Sequence, residues 1–219
     1  MLTTVHERHQ IIDIAMRLTQ LGLNKGSAGN VSLRHEDGFL VTPSGLSAHE
    51  MRAADIVEMD FDGTWSGVRK PSSEWRFHRD ILMARPEIGA IVHTHAPFCT
   101  TLAVLGREIP AFHYMVAVAG GKSVRCAPYA TFGTQELSDQ AVAALEGRRA
   151  CLLAHHGMIA LGRDLPAALA LAVEVESLAE QYWRALQIAE PTILADAEMD
   201  VILDKFKTYG RQTAAEEDV

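Results

Sequence analysis

Long apolar runs and an excess of basic residues are both missing from this chain. No apolar segment approaches the roughly 20 residues that span a bilayer, so the sequence predicts no membrane span. The formal net charge is −8, which argues against the strongly basic surface of nucleic-acid-binding proteins and against a polybasic membrane anchor. We therefore expect neither a nucleic acid nor a membrane as a partner.

Paired cysteines and a leader sequence are missing as well. Cys99, Cys126 and Cys151 are odd in number and show no Cys-x-x-Cys spacing, which is typical of buried free thiols in a reducing compartment. The first eight residues lack the basic and then apolar layout of a signal peptide. We expect a cytoplasmic protein in which none of the three thiols is a metal ligand or a nucleophile.

The order of the predicted elements indicates a single α/β domain. The chain has 219 residues, 48% of them hydrophobic, which is enough for one sizeable core. Helix and strand patterns do not alternate strictly, and this favours a mainly antiparallel central sheet with helices on both faces. We assign residues 1–213 to the domain and expect the acidic residues 214–219 to form a disordered tail.

Capping signals place two helices near the start of the chain. Thr3 or Thr4 is the expected N-cap of a first helix, whose apolar face ends at Leu21. Ser72 or Ser73 is the expected N-cap of a later helix that opens close to Glu74.

Two apolar runs end in histidine. The first, residues 90–92, leads into His93 and His95, whose side chains leave the same face of an extended strand. The second leads into His155 and His156. Three imidazoles beside a carboxylate are the ligand set of a catalytic zinc site with an open position. The alternative is that these histidines end their strands and bond only to the backbone.

Three turn-rich stretches offer hydroxyl and backbone N–H donors to one anion. They are residues 27–30, the dipeptide Ser44-Gly45, and Ser72-Ser73 at a predicted helix start. A helix N-terminus beside a glycine-assisted turn is a ready anion site. Because no basic cluster accompanies them, a phosphate monoester is the expected ligand rather than a polymer. Each stretch alone is equally typical of an ordinary turn or cap.

Glu74 directly follows one of these turns and has two interpretations. As a carboxylate in the first turn of a helix, it is stabilised by the helix dipole by ~0.3–1 kcal/mol. As a functional group, it is a general base beside a carbonyl polarised by a metal. Its adjacency to the predicted phosphate-binding turn favours the second.

Taken together, the motifs resemble the class II aldolase/adducin-head family. In chain order they are Gly29-Asn30-Val31-Ser32, Thr42-Pro43-Ser44-Gly45, Pro71-Ser72-Ser73-Glu74, His93-Thr94-His95 and His155-His156-Gly157. Similar tracts at 109–115, 126–134 and 205–210 extend the resemblance over nearly the whole chain. The family fold implied by this resemblance is α/β with a central antiparallel sheet.

The resemblance also implies the site residues. Zinc, one ion per subunit, would be held by His93, His95 and His156, with Glu74 beside it as acid and base. His155 would be a neighbour rather than a ligand, because the family's ligand is the histidine directly before the glycine. The substrate phosphate would lie on Asn30, Ser44, Gly45, Ser72 and Ser73.

Two tyrosines would serve the aldehyde end of the substrate. By the resemblance, Tyr114 comes from a neighbouring subunit and Tyr209 lies on a C-terminal segment. The expected assembly is a homotetramer with active sites at its subunit interfaces.

The activity implied is reversible cleavage of a sugar phosphate, a ketose 1-phosphate, into dihydroxyacetone phosphate and an aldehyde through a zinc-stabilised enediolate. Lys25, Lys70 and Lys122 are the only lysines before the C-terminal segment, and none lies in an apolar strand as a Schiff-base lysine would. The motifs do not separate L-fuculose 1-phosphate from 5-deoxy- or 5-methylthio-ribulose 1-phosphate.

Other members of the family leave alternatives open. A sugar-phosphate 4-epimerase breaks and remakes the same bond, and a 3-oxo-tetronate 4-phosphate decarboxylase shares the zinc site. A methylthioribulose 1-phosphate dehydratase is disfavoured because Ser73-Glu74 is intact. A non-catalytic interaction module like the adducin head has no need of the histidines and Glu74 that this chain keeps.

Overall fold

The computed structural model describes residues 2–208. Its helices are α1 (Leu2–Gln20), α2 (Trp75–Ala84), α3 (Pro97–Val104), α4 (Gln135–Ala144), α5 (Leu165–Leu186) and α6 (Asp196–Phe206). Its strands are β1 (Asn30–His35), β2 (Gly38–Val41), β3 (Val57–Asp60), β4 (Trp65–Ser66), β5 (Ala90–Thr94), β6 (Cys126–Ala127), β7 (Ala150–Leu153) and β8 (Gly157–Gly162). Short 3₁₀ helices cover Ala48–Glu50, Ala53–Asp55 and Tyr114–Ala119.

One eight-stranded sheet, in the order β4-β3-β2-β1-β5-β8-β7-β6, runs through the domain. Every neighbouring pair is antiparallel except β6 and β7, which are parallel. The predicted mainly antiparallel sheet is therefore confirmed. In its centre Asn30 of β1 lies opposite His93 of β5, and Thr94 lies opposite Met158 of β8.

Helices cover both faces of the sheet, as predicted. The helices α1, α3, α5 and α6 pack on one face, and α2 and α4 pack on the other. Strand β5 is buried on both sides, with Val92 in the first core and Ile91 in the second. Because side chains alternate along a strand, His93 leaves the same face as Ile91, where the ring of Phe77 from α2 meets it edge-on at 5.4 Å.

The predicted caps of the first two helices are wrong. Helix α1 already includes Thr3 and Thr4, and Leu21 lies beyond its end with 52% of its surface exposed. At α2 the N-cap position is Glu74, and no side chain caps it. The hydroxyl of Ser72 instead accepts from the backbone N–H of Glu74 at 3.3 Å, so this serine orders the turn before the helix.

Two other expectations were the lack of a membrane span and a domain end at residue 213. Among the described helices, none has the length and apolar character needed to cross a membrane. The predicted domain end at residue 213 and the acidic residues 214–219 lie outside the described residues.

Candidate metal and phosphate site

Strand β5 brings two histidines to one point. Nε2 of His93 lies 3.2 Å from Nε2 of His95. The Nδ1–H group of His93 donates to the backbone carbonyl of Met158 at 2.9 Å. Burial is the main cause that lowers the pKa of His93 to about 3, so its ring is neutral. With its proton on Nδ1, His93 presents a bare Nε2 lone pair, the arrangement found in metal-ligating histidines.

The third histidine comes from the turn between β7 and β8. His155 adopts a left-handed conformation with φ 56°, and His156 follows it. Gly157 is required next, because a Cβ atom there would lie only 2.3 Å from the carbonyl oxygen of Thr94. This close approach to β5 places candidate ligand atoms of His93, His95 and His156 all within 4.8 Å of one another.

Glu74 lies against this histidine cluster. Its Oε2 is 3.3 Å from Nε2 of His93, and its Oε1 is 3.1 Å from Nε2 of His156. Oε2 also accepts from Nδ2 of Asn30 at 2.8 Å. Burial raises the pKa of the Glu74 carboxyl, but the two imidazoles and the Asn30 amide outweigh it and hold this pKa well below its ordinary value. The carboxylate is therefore ionised at neutral pH.

The donor set fits a divalent metal ion. Three imidazoles converge from two strand ends, and nitrogen lone pairs that face one another this closely are satisfied when a cation or a proton lies between them. Oε1 of Glu74 is buried and, apart from its contact with Nε2 of His156 at 3.1 Å, meets no donor among the described residues. Imidazole nitrogens and an adjacent carboxylate suit zinc and other divalent ions of intermediate softness.

A cavity of about 330 Å³ opens beside these side chains. Glu74, His95 and His156 line it together with all of the residues predicted to bind phosphate, which are Asn30, Ser44, Gly45, Ser72 and Ser73. The rings of Tyr129 and Phe132, and that of His155, the predicted neighbour of the ligands, also line this wall. One cavity thus joins the predicted phosphate turns to the histidine cluster.

Two supporting side chains around β5 have no sequence signal that predicts them. Oδ1 of Asn24 accepts from the backbone N–H of His95 at 3.0 Å. The carboxylate of Glu176, on α5, accepts from the backbone N–H groups of Phe98 and Cys99 at 2.8 Å each. Glu176 thereby caps the start of α3 immediately after the histidine strand.

Tyr114, one of the two predicted tyrosines, does not line this cavity. Tyr114 is half exposed and lines a separate cavity of about 600 Å³, together with Phe112, Ile202 and Phe206. Its contribution to a neighbouring subunit stays a prediction. Tyr209 lies outside the described residues.

Curated relatives match the chain over almost its whole length. It is 68% identical over 203 residues to a 5-methylthioribulose-1-phosphate/5-deoxyribulose-1-phosphate aldolase of Rhodospirillum rubrum, covering 93% of this chain and 92% of that protein. It is 52% identical over 202 residues to the L-fuculose phosphate aldolase of Escherichia coli K12, covering 92% and 94%.

A solved structure agrees with these relatives. The structure of an L-fuculose 1-phosphate aldolase superposes with a TM-score of 0.89 at 43% identity, covering 91% of this chain and 95% of that one. The sequence profile of the Class II Aldolase and Adducin N-terminal domain matches residues 9–183. With the fold, the motifs and the relatives in agreement, the chain belongs to the class II aldolase and adducin N-terminal domain family.

Proposed function

We propose that this protein is a metal-dependent aldolase that reversibly cleaves a ketose 1-phosphate into dihydroxyacetone phosphate and an aldehyde. One observation carries the proposal: three histidines converge beside the buried carboxylate of Glu74, and two of them, His95 and His156, line one cavity together with Glu74. The same cavity wall holds the predicted phosphate turns. Relatives that are 68% and 52% identical are named as aldolases of sugar phosphates, which supports the assignment.

The metal we assign is zinc, one ion per subunit, with His93, His95 and His156 as ligands. Three imidazoles leave an open coordination position, which is typical of catalytic rather than structural zinc. When bound, the ion supplies Lewis-acid stabilisation of the negative charge that develops on the substrate oxygens.

The phosphate end of the substrate is assigned to the turns on the cavity wall. Asn30 offers the second N–H of its amide, since the first is used by Glu74. Ser72 and Ser73 precede the N-terminus of α2, where the helix dipole favours an anion. Ser44 and Gly45 add a hydroxyl and a turn with left-handed backbone, φ 69° at the glycine.

Glu74 is assigned as the general base. In the direction of aldol addition, its ionised carboxylate accepts a proton from C3 of dihydroxyacetone phosphate, and in cleavage it returns that proton to C3. Cleavage also requires a group that takes the proton of the C4 hydroxyl as the C3–C4 bond breaks. We assign this step to Tyr114 of the partner subunit or to Tyr209.

The substrate class that we favour has an apolar end, as in 5-deoxy- or 5-methylthio-ribulose 1-phosphate. The cavity wall beside the histidines carries the rings of Tyr129 and Phe132, which suit a methyl or methylthio group better than a hydroxyl. The relative from Rhodospirillum rubrum is named for these two substrates. Since an apolar pocket discriminates by only ~1–3 kcal/mol per methylene, L-fuculose 1-phosphate is the substrate to compare.

The test measures dihydroxyacetone phosphate release from the three ketose phosphates before and after chelation. We expect chelation to abolish release and added zinc to restore it. Undiminished turnover in the metal-free protein would contradict the metal assignment. Mass spectrometry of the products separates the aldolase from an epimerase, which yields no aldehyde. A 3-oxo-tetronate 4-phosphate decarboxylase would release no product from these substrates, because they have no carboxyl group.

The assembly and location that we propose are a cytoplasmic homotetramer with interfacial active sites. The half-exposed Tyr114 and the apolar cavity around it are the support from the structure, because such a surface suits burial against another copy. Light scattering of the purified protein measures the assembly, and a monomer with full activity would contradict this proposal.

A further inference from the structure

A buried chain of hydrogen bonds runs from the first strand to the carboxylate of Glu74. Oγ of Ser32 lies 2.7 Å from Nδ1 of His78, and Nε2 of His78 lies 2.5 Å from Oδ1 of Asn30. Asn30 in turn donates from Nδ2 to Oε2 of Glu74 at 2.8 Å. Ser32 and His78 are fully buried, so solvent water does not compete for these two residues.

Two short spacings in the sequence create this chain. Asn30 and Ser32 are two residues apart on β1 and therefore leave the same face of the sheet. Glu74 and His78 are four residues apart at the start of α2 and therefore lie on the same side of that helix. The hydrogen bonds form where this side of α2 packs on this face of the sheet.

Chemistry sets the direction of every bond in the chain. The carboxylate of Glu74 only accepts, so Asn30 turns its N–H group toward Glu74 and its carbonyl oxygen toward His78. That oxygen also only accepts, so the imidazole of His78 carries its proton on Nε2. Nδ1 is then a bare acceptor, because burial lowers the pKa of His78 to about 3 and keeps the ring neutral. Ser32 donates to it.

The direction of these hydrogen bonds decides which oxygen of Glu74 is available for proton transfer. Oε2 of Glu74 is occupied by Asn30, whereas Oε1, apart from its contact with Nε2 of His156 at 3.1 Å, meets no donor among the described residues. Without the donor on His78, the Asn30 amide is free to turn by half a rotation. Its carbonyl oxygen would then face the carboxylate of Glu74 and the cavity, where it repels both the base and a bound phosphate.

We propose that His78 is a positioning residue for the reaction: its Nε2–H group holds the Asn30 amide in one orientation, so that Oε1 of Glu74 is left free to exchange the C3 proton. This inference rests on the proposed function, in which Glu74 is the general base. His78 acts only through Asn30 and does not touch the substrate.

Two amide substitutions of His78 distinguish a role in positioning Asn30 from a role in filling the core. In His78→Gln the amide N–H reaches the place of Nε2 and can still donate to Asn30. In His78→Asn the side chain is one methylene shorter and does not reach. Ser138→Ala is the control. Ser138 is a buried residue of α4 whose hydroxyl donates to Asp80, and Asp80 lies on α2, the helix that also carries His78, but away from the cavity.

The measurements are kcat, bound zinc and melting temperature for each variant, with the wild type as reference. We expect His78→Asn to lower kcat by about 10- to 100-fold with zinc retained, and His78→Gln to lose several-fold less. Ser138→Ala should lower the melting temperature without lowering kcat. Equal kcat losses in His78→Gln and His78→Asn, or losses that follow the melting temperature across all three variants, would overturn the proposal.

A second readout does not depend on activity. In the ¹⁵N spectrum of zinc-loaded protein, the His78 signals, identified by their disappearance in His78→Gln, should show a neutral ring with the proton on Nε2. A proton on Nδ1 would overturn the proposal, since Nε2 then has nothing to donate to Asn30. An inactive wild type with the expected tautomer would instead count against the proposed function, so the two failures are distinguishable.

Discussion

Two cavities of this protein, the one at the histidine cluster and the one at Tyr114, differ in how deeply their lining side chains are buried. The cavity at the histidine cluster is lined by segments next to the ends of five strands, β1, β2, β5, β6 and β7, and by the start of α2, and Glu74 is only 6% exposed there. The cavity at Tyr114 lies between a 3₁₀ helix and α6, and Tyr114 is 50% exposed. The first is held by the sheet, and the second lies on the surface.

This difference corresponds to the two ends of the substrate in the proposed reaction. The phosphate and metal end of the substrate is common to all three candidate ketose phosphates, so a rigid, buried site serves it. The aldehyde end differs among them, and the residues that would read it lie on an exposed surface or in the C-terminal segment. We therefore expect substitutions at the histidines, at Glu74 and at the phosphate turns to affect metal binding and C3 chemistry, and those at Tyr129, Phe132 or Tyr114 to affect the aldehyde end of the reaction.

Removing a histidine should have the largest effect. His156→Ala takes one of the three converging imidazoles from the cluster and leaves two, which is too few to hold a catalytic zinc ion firmly. We expect loss of bound zinc and of essentially all dihydroxyacetone phosphate formation. Metal analysis after dialysis checks this, with His155→Ala as the matched control; full zinc content in His156→Ala would exclude His156 as a ligand.

Glu74→Gln should separate chemistry from metal binding. The amide keeps the shape of the side chain but cannot accept the C3 proton, so we expect about 10²- to 10⁴-fold lower kcat with zinc retained. Exchange of the C3 proton of dihydroxyacetone phosphate with deuterated water, followed by NMR, measures this step without the aldehyde. An unchanged exchange rate would remove Glu74 from the mechanism.

Tyr114→Phe should have a smaller effect, of about 10- to 100-fold on kcat for cleavage. It removes one hydroxyl from a half-exposed ring and leaves the buried core intact, so zinc content and melting temperature should not change. Deuterium exchange at C3 should also be preserved, because that step uses Glu74. A variant that loses zinc would show that the two cavities are not independent.

The smallest effect expected is on pH-dependent stability at Glu176. Burial raises the pKa of this carboxyl above its ordinary value of 4.5, although the N–H groups of Phe98 and Cys99 oppose the shift. The folded state then binds the proton more tightly than the unfolded state, so this contribution to stability is present below the ordinary pKa and is lost as the pH rises through the raised pKa.

The measurement is the free energy of unfolding in urea for the wild type and Glu176→Gln, at pH values above and below 4.5. The stability of the wild type relative to the variant should fall as the pH rises through this range. A difference that grows with pH would mean that the N–H groups of α3 outweigh burial. Catalytic zinc content serves as the control, since Glu176 supports the backbone after His95 and ligates nothing.

Some interactions over a few residues were predictable from the sequence, although the predicted caps of α1 and α2 were wrong, and the contacts that Asn24 and Glu176 make between distant elements were not. Thr134, for example, accepts from the N–H of Leu137 only three residues away, as a helix cap should. Glu176 caps α3 from 77 residues along the chain, and only the packing of α5 on α3 creates that contact. Nothing in the local sequence around Glu176 indicates it.

Strand β8 was missed by the sequence-based prediction although its residues carry an apolar pattern. Residues 157–162 are apolar and follow His156 directly, but the sequence-based prediction ended the strand at the histidines and placed no strand after them. In the structure β8 pairs with both β5 and β7 and supplies the Met158 carbonyl that orients His93. His156 therefore lies in a hairpin turn, where the backbone of His155 is left-handed.

By itself, the sequence determined the fold class, the family and the residue types of the site, because periodicity and short motifs are properties of neighbouring residues. Only the tertiary structure decided that the imidazoles converge, that Oε1 of Glu74 meets no described donor apart from His156 and that His78 joins Ser32 to Asn30. These depend on the pairing of β5 with β1 and with β8 and on the packing of α2 against the sheet, which bring together residues more than 40 positions apart.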